Sequence, residues 1–500
     1  MNRVLARLLG RQEESLAVQS IILTAARTAG FAITFAIPIV LVRVFDQEQF
    51  GVYKQLFLIA ATAIPVLNLG MYASVFYFVP RDEGEGHRYI VQAIGLLSLT
   101  GGLAGLGLAL APGEVSRLLN IAAVEEYLPL VGLFVFLSTP SELVIPVPTV
   151  DRRPVIAAYT IAASDLLRAC GVIGAAVMMR SIEAVLWAVI VVALLRGFWL
   201  LIYVRLRRKP AAQDVAFADL IDQLRYSLPF ALAVLFEVGL LQFHQFYVAA
   251  NVSPAEFAIY AIGILQIPVL GFLVQSVVEV MLIRTSAAHK TGDRAEMRRV
   301  WIAALERLAV VLVPCWVLVE LLAHDLVGFL FGSAYYASVP ILRVFLLTVL
   351  LWVIVDHGIL RATGDTPYLL AANVVGFAAS VAAVMFFSRF SVLLGGAAGY
   401  VFGLISIRCL GLLRVARRLD MHWWELLPWR TFARVSAAVT LSGLVAASGL
   451  ALPHRLLRLG LAALLFLVVY AAIVFRWELI PQREMHSVLR RFVPAYRWGS

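Results

Sequence analysis

The stretch Ser20-Ile-Ile-Leu-Thr-Ala-Ala-Arg27-Thr-Ala-Gly-Phe-Ala-Ile-Thr-Phe-Ala-Ile-Pro38-Ile-Val-Leu-Val-Arg43-Val-Phe45 decides the fold class. As a helix it is long enough to cross roughly 30 Å of hydrocarbon. It nevertheless carries Arg27 among Ala, Thr, Ile and Phe. An arginine at that depth costs on the order of 2.5–3.5 kcal/mol even on a lenient insertion scale. Directly after this run comes Asp46-Gln-Glu-Gln-Phe50-Gly-Val-Tyr53, and Ser253-Pro-Ala-Glu-Phe257-Ala-Ile-Tyr260 repeats the pattern. A costly charge and a duplicated helix opening organise everything that follows.

The rest of the chain has the same character. Hydrophobic residues make up 62% of its 500 residues, charged residues 14%, and the mean hydropathy is +0.90. So few charges cannot cover the aqueous surface of the several soluble domains that this length otherwise suggests. The apolar residues fall in blocks at 18–43, 52–79, 90–112, 127–148, 154–179, 183–204, 227–250, 255–283, 300–322, 338–360, 367–388, 391–413, 431–452 and 457–475. An all-α polytopic membrane protein of about fourteen transmembrane helices is expected, with short loops throughout. Arg3, Arg7 and Arg11 precede the first block as in a signal peptide. That block is too long and lacks a small-x-small cleavage site, so a retained helix is expected. Cys170, Cys315 and Cys409 lie inside apolar blocks without a CxxC spacing and offer no metal site.

The net charge of +10 belongs to the connections between blocks, not to a nucleic-acid surface. One alternate set is rich in arginine and lysine, notably Arg205 to Lys209, Arg284 to Arg299 and Arg414 to Arg430. The other set holds only Arg43, Arg117, Arg180, Arg389, Arg455 and Arg458. The positive-inside rule therefore puts both termini in the cytoplasm. Asp214 to Leu224 and Arg483 to Trp498 each have the pattern of an amphipathic helix lying in the interface.

Four matches at nearly constant offset indicate an internal duplication. Phe50-x-x-Tyr53 pairs with Phe257-x-x-Tyr260, and Pro129-Leu130 with Pro340-Ile341. Asp151-Arg-Arg-Pro154 pairs with Gly364-Asp-Thr-Pro367, and Arg196 with Arg408. The expected organisation is a first six-helix lobe (1–204), a basic linker (205–226), a second six-helix lobe (227–414), and a final helix pair with a tail (415–500). Two parallel lobes of this kind are common among transporters with a midplane site.

With the Phe50-Gly-Val-Tyr53 opening, Asp325-Leu-Val-x-x-Leu-Phe-Gly-Ser-x-Tyr335 and Leu360-Arg-Ala-Thr-Gly-Asp-Thr-Pro-Tyr368, the chain resembles the polysaccharide (O-antigen) flippases of the multidrug/oligosaccharidyl-lipid/polysaccharide exporter superfamily. The resemblance covers nearly the whole chain through diffuse patterns. It implies an alternating-access carrier, not an enzyme, that moves an undecaprenyl-diphosphate-linked oligosaccharide from the inner to the outer leaflet. It further implies that spans one, two, seven and eight line the cleft between lobes. Lipid II flippases share the lobes and a basic cavity, whereas the sister multidrug exporters usually have twelve spans.

A diphosphate cannot enter hydrocarbon unaccompanied, so cations inside the bundle are the first candidates. Arg27 is the principal one, with pairing to Glu237 as its structural alternative. Lys54, near the start of span two, is either a second cavity cation or a snorkelling lysine. Gln242, His244, Gln266 and Gln275 offer contacts to sugars, and Glu237 and Glu279 offer coupling to protons or sodium, unless they only brace helices. The membrane potential is a further candidate driving force. Asp165 and Arg168 are expected to neutralise each other, and Glu142 and Asp356 to pair with Arg152 or Arg361. No cofactor is expected. The expected partners are the lipid-linked oligosaccharide, the bilayer, and a polymerase and glycosyltransferases of the same polysaccharide. A polymerase or glycosyltransferase identity is disfavoured by the short outer loops and by the lack of a DxD, Walker or HExxH pattern.

Overall fold

The computed structural model describes residues 30, 33–82, 86–207, 217–266, 268–450 and 452–479. Among these, thirteen helices are long and apolar enough to cross a membrane, and Ile33–Val44 adds the described part of the first span. The order of spans is the one read from the hydropathy blocks. Contacts divide the chain into two compact units, Met1–Ala261 and Ile262–Ser500, with the boundary inside the short helix Pro254–Gly263.

The duplication is visible element by element. Asp46 opens the second span with a capping box, accepting from the Gln49 backbone at 2.8 Å while the Gln49 side chain reaches the Asp46 N–H. Ser253 and Glu256 repeat it before Pro254–Gly263, with the Ser253 N–H donating to the Glu256 carboxylate at 3.0 Å and the Glu256 N–H to Ser253 Oγ at 3.3 Å. The 3-10 turn Ala122–Tyr127 runs into Leu128–Ser141, and Ser333–Ser338 runs into Val339–Leu351, each helix with its proline at the first turn. Proline suits that position because its missing N–H has no intrahelical partner there. Pro154 and Pro367 start the fifth and eleventh spans in the same way.

In the first unit the second span is broken into Gln47–Leu67 and Met71–Phe78. Leu69 and Gly70 take positive φ (49° and 72°), and a Cβ at Gly70 would lie 2.5 Å from the Ser227 carbonyl oxygen. Only glycine permits that approach. Spans three (His87–Leu110) and four cross on small residues. A Cβ on Gly105 would come 2.6 Å from Gly132 O, and the reverse holds at 2.4 Å.

The seventh span corrects the expectation of a separate interfacial helix at 214–224. Phe217–Asn251 is one helix of 35 residues, about 52 Å long at 1.5 Å per residue, so it outruns the hydrocarbon. Residues 214–216 lie outside the described residues. The polar face of its first turns points at the second and third spans instead of at headgroups. Ser74 donates to Gln223 at 3.0 Å, Gln223 donates to Gln92 at 2.7 Å, and all three are buried. Arg88 bridges Asp82 (3.1 Å) and Asp219 (3.4 Å), and the Tyr77 and Tyr226 rings stack at 4.0 Å. At the opposite end of the span, Asn120 donates to the Ala250 carbonyl at 2.6 Å. A Cβ on Gly51 would fall only 1.8 Å from the Pro254 carbonyl oxygen.

In the second unit the eighth span is interrupted between Pro254–Gly263 and Pro268–Thr291. Pro65 lies two residues before the break in the second span and Pro268 starts the helix after the break in the eighth, while Pro38 and Pro229 lie within helices that continue. Gly292, at φ 71°, and the Asp293 N-cap turn the chain sharply into Arg294–Leu330. The final pair, Trp429–Gly449 and Arg455–Arg476, packs on that long helix. Thr431 donates to Glu306 (2.7 Å), Tyr470 to Val310 O (2.7 Å), and Arg458 pairs with Asp325 (2.7 Å).

Two ion-pair expectations need correcting. Asp356 pairs with Arg408 at 2.5 Å, not with Arg361, and Glu142 lies 3.9 Å from Arg196, not beside Arg152. These partners are themselves repeat equivalents. The architectural role stands, and it occurs once in each repeat.

Candidate functional site

Lys54 sits about 10 Å into the second span, seven residues after its first residue. Its neighbours Phe50, Tyr53 and Gln55 are buried, and the lysine is half-buried. The ammonium lies over the Phe50 ring, 5.5 Å from its centroid, one turn back toward the start of the helix. That is the direction in which helical side chains lean. Among the described residues no carboxylate lies within 4.0 Å of it, so the ring face is its counterweight.

A second charged group lies deeper. The fifth span, Pro154–Met179, places Asp165 and Arg168 near its middle, about 17 Å and 21 Å from its start. They pair at 2.9 Å across one turn. Arg168 also donates to Thr34 of the first span at 3.2 Å, while Thr34 donates to the Gly30 carbonyl at 2.9 Å. Asp165 presses on the same span, since a Cβ at Gly30 would meet its Oδ2 at 2.5 Å. The guanidinium Nε is buried with no hydrogen-bond partner among the described residues. Spans one and five thus meet at one guanidinium. The Arg168 side chain keeps 38% of its surface exposed. Facing hydrocarbon, that charge would cost at least about 2.5–3.5 kcal/mol, so its open side requires water or an anion.

The remaining predicted residues are placed as follows. Arg27 lies outside the described residues. His244 is buried, with Nδ1 2.5 Å from the Tyr260 hydroxyl of the duplicated motif. Gln242 accepts from Gln245 at 2.7 Å, and Glu237 is exposed two turns before His244. Gln266 is exposed in the interruption of the eighth span. Gln275 and Glu279 are exposed together on Pro268–Thr291, 3.3 Å apart. Lys54, Glu237, Gln242 and His244 belong to the first unit, and Gln266, Gln275 and Glu279 to the second.

The i,i+3 spacing of Asp165 and Arg168 revealed their pairing. The contact of Arg168 with Thr34 had no sequence signal, because it joins spans far apart in the chain. A cleft of about 180 Å³ in the second unit, lined by Ser276, Val280, Met281, Arg284, Ala304 and Arg307, was equally unannounced. It lies between Pro268–Thr291 and Arg294–Leu330, and Arg284 is engaged by Glu296 at 2.6 Å.

Comparison with known proteins adds three findings. The family described as polysaccharide biosynthesis protein matches residues 40–340. No curated protein matches the chain. Among solved structures, the lipid II flippase MurJ in an inward closed conformation superposes with a TM-score of 0.68 at 14% identity, over 92% of this chain and 100% of that one. An inward-facing multidrug resistance MATE transporter of the MOP superfamily gives 0.56 at 14% identity, over 82% and 96%. A MOP superfamily transporter from Pyrococcus furiosus, whose description notes a binding pocket of reversed polarity, gives 0.57 at 16% identity, over 81% and 95%. At these identities the likeness is one of fold.

Proposed function

The chain belongs to the polysaccharide biosynthesis protein family, and on that basis we propose that it is a flippase for a lipid-diphosphate-linked oligosaccharide. In this reading it works by alternating access in a bacterial inner membrane, both termini are cytoplasmic, and it passes its cargo from glycosyltransferases on the inner side to a polymerase on the outer side. The observation that carries the proposal is that the spans of the first unit hold two cations, Lys54 and Arg168, beside the carboxylates Asp165 and Glu237. Lys54 has no carboxylate beside it among the described residues, and Arg168 is only partly occupied by Asp165. A carrier of apolar cations has no use for such groups, whereas a diphosphate requires them. Arg27 is assigned to the same cavity on the sequence reading.

Depletion in the native host tests this. Lipid-linked oligosaccharide should accumulate on the inner leaflet, and surface polysaccharide should fall. Unchanged polysaccharide with raised drug sensitivity would instead indicate multidrug export by the same fold. At the residue level, Lys54→Ala should reduce polysaccharide export and Lys54→Arg should retain most of it. Full export by a correctly inserted Lys54→Ala protein would remove Lys54 from the site.

A further inference from the structure

The Asp165–Arg168 pair has the chemistry of a brace, but three observations sit badly with a purely structural role. Its depth in the fifth span is the costliest place for charges, where an apolar pair would pack as well. The duplicated fifth span has no counterpart: at the repeat offset of 212–213, Asp165 corresponds to Phe377 or Ala378 and Arg168 to Ser380 or Val381. The fold therefore forms its second copy of this span without the pair. Finally, the guanidinium is incompletely used. Nη2 serves both Asp165 and Thr34, the buried Nε has no partner among the described residues, and over a third of the side chain is open.

We propose that Asp165 is the resting counter-ion of a diphosphate-binding site centred on Arg168, and that the diphosphate of the cargo displaces it. The guanidinium fork matches the geometry of phosphate oxygens, and the Thr34 hydroxyl, which accepts from Arg168 and donates to the Gly30 carbonyl, borders the site. In the empty carrier Asp165 neutralises Arg168, so this guanidinium reorients with its charge compensated. When cargo binds, the diphosphate takes the place of Asp165 on the guanidinium, and the displaced carboxylate takes up a proton or turns to water. The inference rests on the proposed function and extends it by naming a binding residue and its competitor.

The test is diphosphate binding to the full-length chain in detergent, measured calorimetrically with farnesyl diphosphate, inorganic pyrophosphate and farnesol as probes. Asp165→Asn removes the competitor and should tighten farnesyl diphosphate binding about tenfold, whereas Arg168→Gln should weaken it at least about tenfold. Pyrophosphate should follow the same order more weakly, identifying the diphosphate as the recognised group, and farnesol should be indifferent to both changes. A recognised prenyl chain instead would show as farnesol binding that matches farnesyl diphosphate in every variant, and that overturns the proposal. Because single changes at a buried pair can disturb folding, the doubly neutral Asp165→Asn/Arg168→Gln protein is the second arm. It should elute as a single species and bind diphosphate no better than Arg168→Gln. If Asp165→Asn leaves affinity unchanged or weakens it, or if the doubly neutral protein binds like the unmodified chain, the pair is only a brace. Flipping in proteoliposomes separates the two ideas. Transport with affinities unmoved by these variants overturns the present inference alone, whereas binding as described without transport overturns the proposed function alone.

Discussion

The two repeat-equivalent ion pairs differ in geometry, and that difference sets their energetic weight. Asp356 is 1% exposed and holds Arg408, itself 16% exposed, at 2.5 Å. Gly411 makes room for it, since a Cβ there would lie 1.8 Å from the carboxylate. Replacing Asp356 with Ala leaves a buried guanidinium without its carboxylate, a loss of about 3–5 kcal/mol. Glu142 and Arg196 stand 3.9 Å apart with side chains 38% and 24% exposed, so Glu142→Ala should cost about 0–1 kcal/mol. For a unit of this size, 1 kcal/mol moves the midpoint by about 2 °C, which predicts losses of about 6–10 °C and at most about 2 °C respectively. Thermal unfolding of the purified proteins in detergent, followed by tryptophan fluorescence, reads both. Asp356→Ala/Arg408→Met removes both charges together and should recover much of the first loss. Equal losses for the two single variants, or no recovery in the double variant, would refute the burial argument.

Three further outcomes follow from local geometry. Gly51→Ala forces a Cβ onto the Pro254 carbonyl and should cost about 1–3 kcal/mol in the state described here. A cysteine at Asn251 should then react faster with an impermeant thiol reagent, and unchanged labelling counts against this. With the native cysteines replaced, Ser74→Cys/Gln223→Cys should cross-link on oxidation and stop transport until reduced. Continued transport by the cross-linked protein means the contact between spans two and seven never opens. Asp365 lies between the tenth and eleventh spans and accepts hydrogen bonds from Arg418 and from Arg414 (2.9 Å), which hold its carboxyl well below the usual carboxylate range. A depressed folded value gives stability that is complete above the unfolded pKa of about 3.9 and is lost as pH falls below it toward the folded value. The gap in unfolding temperature between the unmodified chain and Asp365→Asn should therefore hold constant from neutral pH down to about pH 5 and shrink below about pH 4. A gap that stays constant under acid means Asp365 carries no such stability.

Span number and order were legible because hydrophobic length is a one-dimensional property of the chain. The duplication was legible because turn chemistry is local: Asp46 with Gln49 and Ser253 with Glu256 announce helix starts wherever they occur. Partners across spans were not. Glu142 and Asp356 have arginines nearby in sequence, yet each pairs with one more than fifty residues away, because sequence neighbours at a helix end point into solvent while the facing helix supplies the buried cation. The amphipathic pattern before Ser227 was read correctly as two-faced, but periodicity cannot say whether a polar face meets headgroups or the side chains Ser74, Gln92 and Arg88 of other helices. The site divided in the same way. Lys54 stood out as a charge in an apolar run, whereas the role of Arg168 was masked by a carboxylate one turn away.

The duplication preserved two capping boxes and two proline-started pairs of spans at helix ends, and two carboxylate–arginine braces whose arginines, Arg196 and Arg408, lie well inside their helices. Other charges inside the spans were not preserved. Lys54 corresponds to Ala261, and Asp165 and Arg168 correspond to residues without charge. End features guide a helix into its fold and are needed in every copy, so duplication keeps them. A mid-membrane cation is a liability in every copy except the one that meets an anion. Two copies of a cationic centre would leave one uncompensated whenever a single diphosphate is bound. The Asp165–Arg168 pair is neutral when empty, and a bound diphosphate then brings negative charge that Lys54 partly offsets. A protein that must reorient in both conditions therefore has reason to concentrate this charge in a single repeat, at Lys54 and the Asp165–Arg168 pair.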